Sequence, residues 1–214
     1  MKTIFFSFIL IISIGARSQS ISPDGPSFGF IVWDKTQYVG TAFVLKSKRI
    51  VITCAHVIDS NHEIYYASGG LKDPEIVMHK LKIVKLLPQY DLALLESETD
   101  LCNRPFVAEK TFNIHRNQHM FYLGYSTESS SIIQKSIQAN NLWVISYGKT
   151  FELDSTVNYI EFNGVGVPGY SGGPVLNDKG RVIAIMREAW FKQSVRGGPS
   201  QLMNRAYSIL PILK

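Results

Sequence analysis

Long apolar runs, blocks of like charge and helical periodicity are all scarce in this 214-residue chain, and each scarcity removes a class of protein. Beyond its first 18 residues no stretch approaches the ~20 apolar residues of a membrane-spanning helix. No Lys/Arg block stands out, and 22 basic against 17 acidic side chains leave a formal charge of only +5. A nucleic-acid partner is therefore not suggested. Charged residues make up 18% and hydrophobic residues 45%, a balance that excludes a disordered chain. There are two cysteines, Cys54 and Cys102. An exported chain could pair them, and two free buried thiols fit the sequence as well.

What is present begins with a targeting segment. Lys2 is a short basic head, and 4–14 is apolar apart from Ser7 and Ser13. Ala16 and Ser18 are small residues at the positions a signal peptidase reads. Cleavage after Ser18 would leave Gln19 first and lower the net charge to +3, because Lys2 and Arg17 depart with the leader. The apolar run is short for a membrane anchor, so no stable insertion is expected after cleavage. Either way the folded part is expected outside the cytoplasm, in the periplasm or the medium.

A turn-rich lead, 19–27, contains Ser22-Pro23-Asp24-Gly25-Pro26. Short runs rich in Val, Ile, Tyr and Phe follow, at 28–33, 38–45, 49–54, 63–67, 81–87 and 91–95. They resume at 119–123, 131–139, 142–147, 158–162, 175–176, 181–186 and 205–209. Gly, Asn, Asp and Pro punctuate them, and none keeps a helical period over 12 residues. Such a series predicts an all-β chain, sandwich or barrel. The polar stretch 96–117 is the expected boundary between two halves, taken as 28–110 and 111–214.

Three strings carry chemistry. In the first, Gly40-Thr41-Ala42-Phe43-Val44-Leu45 precedes Ile50-Val51-Ile52-Thr53-Cys54-Ala55-His56, so a hairpin delivers a histidine at the end of a strand. In the second, Asp91 opens the apolar run Leu92-Ala93-Leu94-Leu95. The third is Gly169-Tyr170-Ser171-Gly172-Gly173-Pro174. A serine hydroxyl is a weak nucleophile until an imidazole takes its proton, and a carboxylate fixes that imidazole's tautomer and orientation. Glycines beside the serine let the backbone turn tightly. The N–H groups of Gly169 and Ser171 would then face the oxyanion of a tetrahedral intermediate. Each string alone reads as an ordinary turn or cap, and their joint occurrence in one order is the specific signal.

Other constellations fail. Gly169-Tyr170-Ser171-Gly172-Gly173 satisfies the nucleophile elbow G-x-S-x-G, but that fold needs its histidine after the serine. All five histidines precede Ser171. The order acid, histidine, serine would need an acid such as Asp34 in a chain of alternating helices, which is not seen. His62 with Glu63, or His115 with His119, lie among polar neighbours and read as solvated surface rather than metal ligands.

These strings, in this order, resemble the trypsin-like peptidases, and HtrA-type bacterial members more than digestive ones. The resemblance spans roughly residues 28–211. It implies two antiparallel six-stranded β-barrels with the site in the cleft between them. His56 and Asp91 would come from the first barrel and Ser171 from the second, with a polypeptide substrate and neither metal nor organic cofactor. It places Val165 at the base of the primary specificity pocket, with Met186 to Ala189 and Ala206 to Tyr207 along its walls. None of Val165, Met186, Ala189 and Ala206 is charged, so a small or medium apolar residue is expected before the scissile bond. Several positions depart from the family pattern. Tyr170 replaces the acid of zymogen-activated members, so no activating salt bridge to that residue is expected. Arg187 and Glu188 stand where small or neutral residues usually support the substrate backbone. No PDZ-type region is seen after Ile212. A non-catalytic module on the same barrels, or an esterase using the same triad, are the alternatives.

Overall fold

A computed structural model describes residues 27–68, 76–125, 137–152, 155–163, 168–192 and 201–214. The leader, most of the lead segment and Val165 lie outside the described residues.

Among the described residues the fold is nearly all β, with twelve strands in two closed barrels. The first barrel contains β1 (Phe28–Trp33), β2 (Gln37–Val44), β3 (Ile50–Thr53), β4 (Ile64–Ser68), β5 (Val77–Leu87) and β6 (Leu92–Ser97). Its strands run in the spatial order β1-β2-β3-β6-β5-β4. The second contains β7 (His119–Tyr125), β8 (Ile137–Glu152), β9 (Ser155–Asn163), β10 (Pro174–Leu176), β11 (Val182–Lys192) and β12 (Gln201–Ser208), ordered β10-β11-β12-β9-β8-β7. A single turn of helix, α1 (Leu210–Leu213), follows.

Closure follows from composition. The strands are dense in β-branched and aromatic residues, which pack on a pleated, buried surface. Closing each sheet leaves few free edges. Phe28, Ile31, Phe43, Val51, Leu92 and Leu95 are wholly buried in the first barrel, each worth about 1.5–3 kcal/mol of transfer free energy. Tyr122, Ile160, Phe162 and Val175 do the same in the second. The first core extends across the seam, through Leu123, Tyr125, Leu176 and Ile185. The linking chain is stitched to both sides: Phe106 bridges Leu45, and Ala108 bridges Val182.

The strands depart from the expected runs in that β5 and β12 begin earlier, at Val77 and Gln201, β11 continues to Lys192, and two expected runs merge. The predicted segments 131–139 and 142–147 belong, from residue 137, to the single 16-residue β8. Asn140 and Asn141, read as a break, pair with Tyr122 and Phe121 of β7. Tertiary pairing overrides their low strand propensity.

Candidate active site

His56 owes its place to the end of β3. Thr53 is the last strand residue, and Cys54 leads into a single 3₁₀ turn, Ala55–Val57. Asp91 owes its place to a chain reversal. After β5, Pro88 opens a 3₁₀ turn, and Asp91 ends it in the left-handed region at φ 50°. Among non-glycine residues, aspartate is one of the few that tolerate this conformation. The reversal aims the carboxylate at the His56 turn while Leu92 enters the core. Asp91 O accepts from Ala55 N at 3.1 Å, and Asp91 Oδ1 accepts from His56 N at 3.0 Å. The His56 ring directs Nδ1 at the same carboxylate, 2.8 Å from Asp91 Oδ2 and 3.1 Å from Oδ1. The carboxylate is nearly buried and the imidazole half exposed. Nε2 is thus the ring atom left for chemistry.

Ser171 sits on a glycine turn fixed from both barrels. Gly172 has φ +90°, and a Cβ there would come within 2.0 Å of Thr41 O. At Gly173 a Cβ would come within 2.1 Å of Leu123 O. Only glycine fits either approach. Gly172 N donates to Met186 O at 2.9 Å, Gly173 N to Tyr170 O at 2.9 Å, and Thr41 N to Ser171 O at 2.8 Å. Among the described residues, the N–H groups of Gly169 and Ser171 donate to no protein acceptor.

Several supporting groups were not singled out by the sequence reading. Thr41 Oγ1 donates to Gly169 O at 2.7 Å and accepts from Tyr125 N at 3.0 Å. Tyr38 Oη lies 2.8 Å from Gly169 O and 2.7 Å from Tyr125 O. Burial holds the Tyr38 phenol far above its ordinary range, so it remains a neutral donor. Thr53 Oγ1 donates to Thr41 O at 2.7 Å. A hydroxyl on an inward strand position, near a glycine turn more than a hundred residues away, leaves no local pattern to read. Tyr170, noted only as a departure, is buried and packs edge-on against Tyr122 at 5.9 Å. It anchors the serine turn in the second core.

Arg187 occupies the irregularity in the β11–β12 ladder between Met186 and Glu188. Its Nε lies 3.2 Å from Asp91 Oδ2. Its carbonyl accepts the Ser171 hydroxyl at 3.0 Å. Among the described residues no hydrogen bond joins His56 to Ser171, so the resting hydroxyl is turned to Arg187. Met186 and Ala206 are cross-strand partners buried in the second core, and Ala189 is exposed farther along β11. A cleft of about 600 Å³ is lined by Ala55, His56, Asp91, Arg187 and Glu188, with Leu86 and Pro88 on the β5 side, and Met186, Ala189 and Ala206 are not part of that lining.

Potential ligand atoms of Cys54, His56 and Asp91 lie within 4.8 Å of one another. The chemistry fits an ion poorly. Burial, reinforced by Asp91, pushes the Cys54 thiol well above its ordinary range, and its Sγ lies 3.1 Å from Met186 O. His56 Nδ1 is already engaged by the carboxylate. Cys54 and Cys102 are both buried and unpaired. His62 bonds Asp34 at 2.6 Å and stacks on Trp33, while His119 lies in β7 with its ring against Phe121.

A model of the trypsin-like peptidase domain matches residues 40–185, from the Thr41 strand through the serine turn. This chain belongs to the trypsin-like peptidase family. It is 30% identical over 155 residues to a probable periplasmic serine endoprotease, DegP-like, of Pseudomonas putida (strain GB-1). That match covers 71% of this chain and 29% of the relative, so the chain spans under a third of that protein's length. The fold is shared with the MamO protease domain of Magnetospirillum magneticum, at TM-score 0.68 and 17% identity, over 88% of this chain and 94% of that one. It is shared also with the Rv3671c protease of M. tuberculosis in its active form, at TM-score 0.65 and 18% identity, over 86% and 76%.

Proposed function

We propose that this trypsin-like domain is an exported serine endopeptidase that cleaves polypeptides through an acyl-enzyme, with Ser171 as nucleophile, His56 as base and Asp91 as its orienting carboxylate. One observation carries the reading. Asp91 holds His56 through both its ring Nδ1 and its backbone N–H, while a glycine turn packed on Thr41 presents Ser171 from the other barrel.

The mechanism follows from these groups. The Ser171 hydroxyl leaves Arg187 O and turns to His56 Nε2, which takes its proton as Oγ attacks the carbonyl carbon. Asp91 stabilises the imidazolium that forms. The uncommitted N–H groups of Gly169 and Ser171 receive the oxyanion, a donor pair whose loss of one member typically costs about 10²–10³ in turnover. His56 then protonates the leaving amine, and water resolves the ester by the same route in reverse.

The expected preference is for a small or medium apolar residue before the scissile bond, on the lining assigned to Val165, Met186, Ala189 and Ala206. A peptide-library profile led by basic or acidic residues would exclude it. Export is supported by the leader-like residues 1–18 and by the periplasmic designation of the Pseudomonas putida relative.

Reaction with a fluorophosphonate, comparing wild type with Ser171→Ala and His56→Ala, tests the catalytic assignment. Labelling of wild type alone, mapped to Ser171, is the expected result. A folded wild type that resists the reagent would refute it and favour a binding module on the same barrels. Turnover of simple esters without peptides would favour an esterase.

A further inference from the structure

Asp91 is held from a second side by a charge that the catalytic assignment does not use. Its Oδ2 lies 2.8 Å from His56 Nδ1 and 3.2 Å from Arg187 Nε. One oxygen therefore serves both cations whenever His56 is protonated. The arrangement is built rather than incidental. Arg187 lies where the β11–β12 register slips, which turns its side chain out of the ladder. The guanidinium stacks on the Tyr207 ring at 4.5 Å, and its side chain is only about a quarter exposed. The acid next to it in sequence has a cation of its own. Glu188 is paired with Arg205 of β12 at 3.3 Å, and Arg205 also holds Glu161 of β9 at 2.6 Å.

We propose that Arg187 is a positioning residue of the catalytic machinery: its guanidinium fixes the Asp91 carboxylate that orients His56 and offsets part of the negative charge the imidazole faces. The inference rests on reading His56 and Asp91 as base and orienter. Asp91 favours imidazolium by its negative charge. A guanidinium sharing the same carboxylate oxygen disfavours imidazolium, by repulsion and by drawing on the same acceptor. Removing the positive charge must therefore raise the pH at which His56 takes up its second ring proton. Among the described residues, the charged side chains that line the cleft with His56 are Asp91, which immediately precedes β6, and Arg187 and Glu188 from β11. The neutral Cys54 thiol lies behind it, and the apolar Leu86 and Pro88 line the β5 side of the cleft. Glu188 acts in the opposite sense but is engaged by Arg205, so Arg187 sets the balance.

The test is a pH titration of the His56 ring by NMR in the full chain, assigned by its loss in His56→Ala. It is read beside the pH dependence of fluorophosphonate inactivation. Arg187→Gln and Arg187→Met remove the charge, and the methionine keeps an unbranched apolar stem over Tyr207 should glutamine fail to fold. Both are expected to raise the titration midpoint by about 0.5–1 pH unit, a modest shift for a neighbouring charge at a partly exposed site. The acid limb of inactivation should move with it. Arg187→Lys, which keeps the charge, should return most of the shift. A merely structural role would lower stability or rate and leave the midpoint in place. A midpoint unmoved in both charge-removing variants, or moved equally by lysine, overturns the proposal. The midpoint needs no turnover, which separates the two readings. An unlabelled wild type whose midpoint still moves refutes the catalytic assignment and leaves Arg187's control of His56 standing. A labelled wild type with an unmoved midpoint refutes Arg187's role alone.

Discussion

Of the three positive-φ glycines among the described residues, Gly169, Gly172 and Gly180, the last two allow the serine turn to be tested against an internal control. Gly180 has φ +70°, and a Cβ there would meet open space, with nothing within 4 Å. Gly180→Ala should cost only left-handed strain, about 1–2 kcal/mol. The loss of unfolded-chain entropy returns about 0.4–1 kcal/mol of that. The net is about 1 kcal/mol, or roughly 2–4 °C in Tm for a domain of this size. Gly172 has similar strain at φ +90°, but its Cβ would meet Thr41 O at 2.0 Å and Thr53 Oγ1 at 2.3 Å. Two of the three nearest atoms belong to the Thr41 backbone, which cannot rotate aside as a side chain can. Overpacking adds about 1–3 kcal/mol, and the contact is close enough to warrant the upper end. Gly172→Ala should therefore lose about 3–4 kcal/mol in all, roughly 6–16 °C in Tm by the same conversion. Because the displaced carbonyl belongs to the strand that fixes Ser171 O, labelling by a fluorophosphonate should also slow by about 10²-fold, the usual consequence of a ~1 Å misplacement. Differential scanning calorimetry and the second-order labelling rate measure the two effects. Equal melting temperatures for the two alanine variants would refute the close-packing argument. An unchanged labelling rate in a destabilised Gly172→Ala would refute the link between the Thr41 contact and the Ser171 hydroxyl.

Other expectations follow from the same geometry. Asp91→Asn should keep the fold but lower kcat/KM on a peptide substrate by about 10³–10⁴, because an amide no longer fixes the imidazole tautomer; a loss under about tenfold would contradict the orienting role. Thr41→Val removes a donor to Gly169 O and an acceptor for Tyr125 N. It should cost about 1–3 kcal/mol in urea denaturation, and a neutral result would show that Tyr38 alone satisfies the turn. Thiol titration with an aromatic disulfide reagent should find no reactive cysteine in the native chain and two in denaturant, since Cys54 and Cys102 are buried and unpaired. An absence of thiols in denaturant would indicate a disulfide instead.

The order of the three motifs and the all-β class were legible in the sequence, because both are written in local pattern. Alternation and β-branching mark a strand wherever its partner lies. Glycines mark the turn at Ser171 because no other residue fits Thr41 O and Leu123 O so closely. The partners were not legible. That His56 and Asp91 meet depends on β3 pairing with β6, with Thr53 opposite Ala93. That Tyr38 and Thr41 hold Gly169, about 130 residues away, depends on how the two barrels abut. Arg187 shows the division plainly. The sequence marked it as unusual for its position. Only the register slip in β11, the Tyr207 ring beneath it and the closure of both barrels decide that its guanidinium reaches Asp91 while its carbonyl takes the Ser171 hydroxyl. A residue's identity fixes what it can donate or accept, whereas strand pairing and barrel closure fix which group receives it.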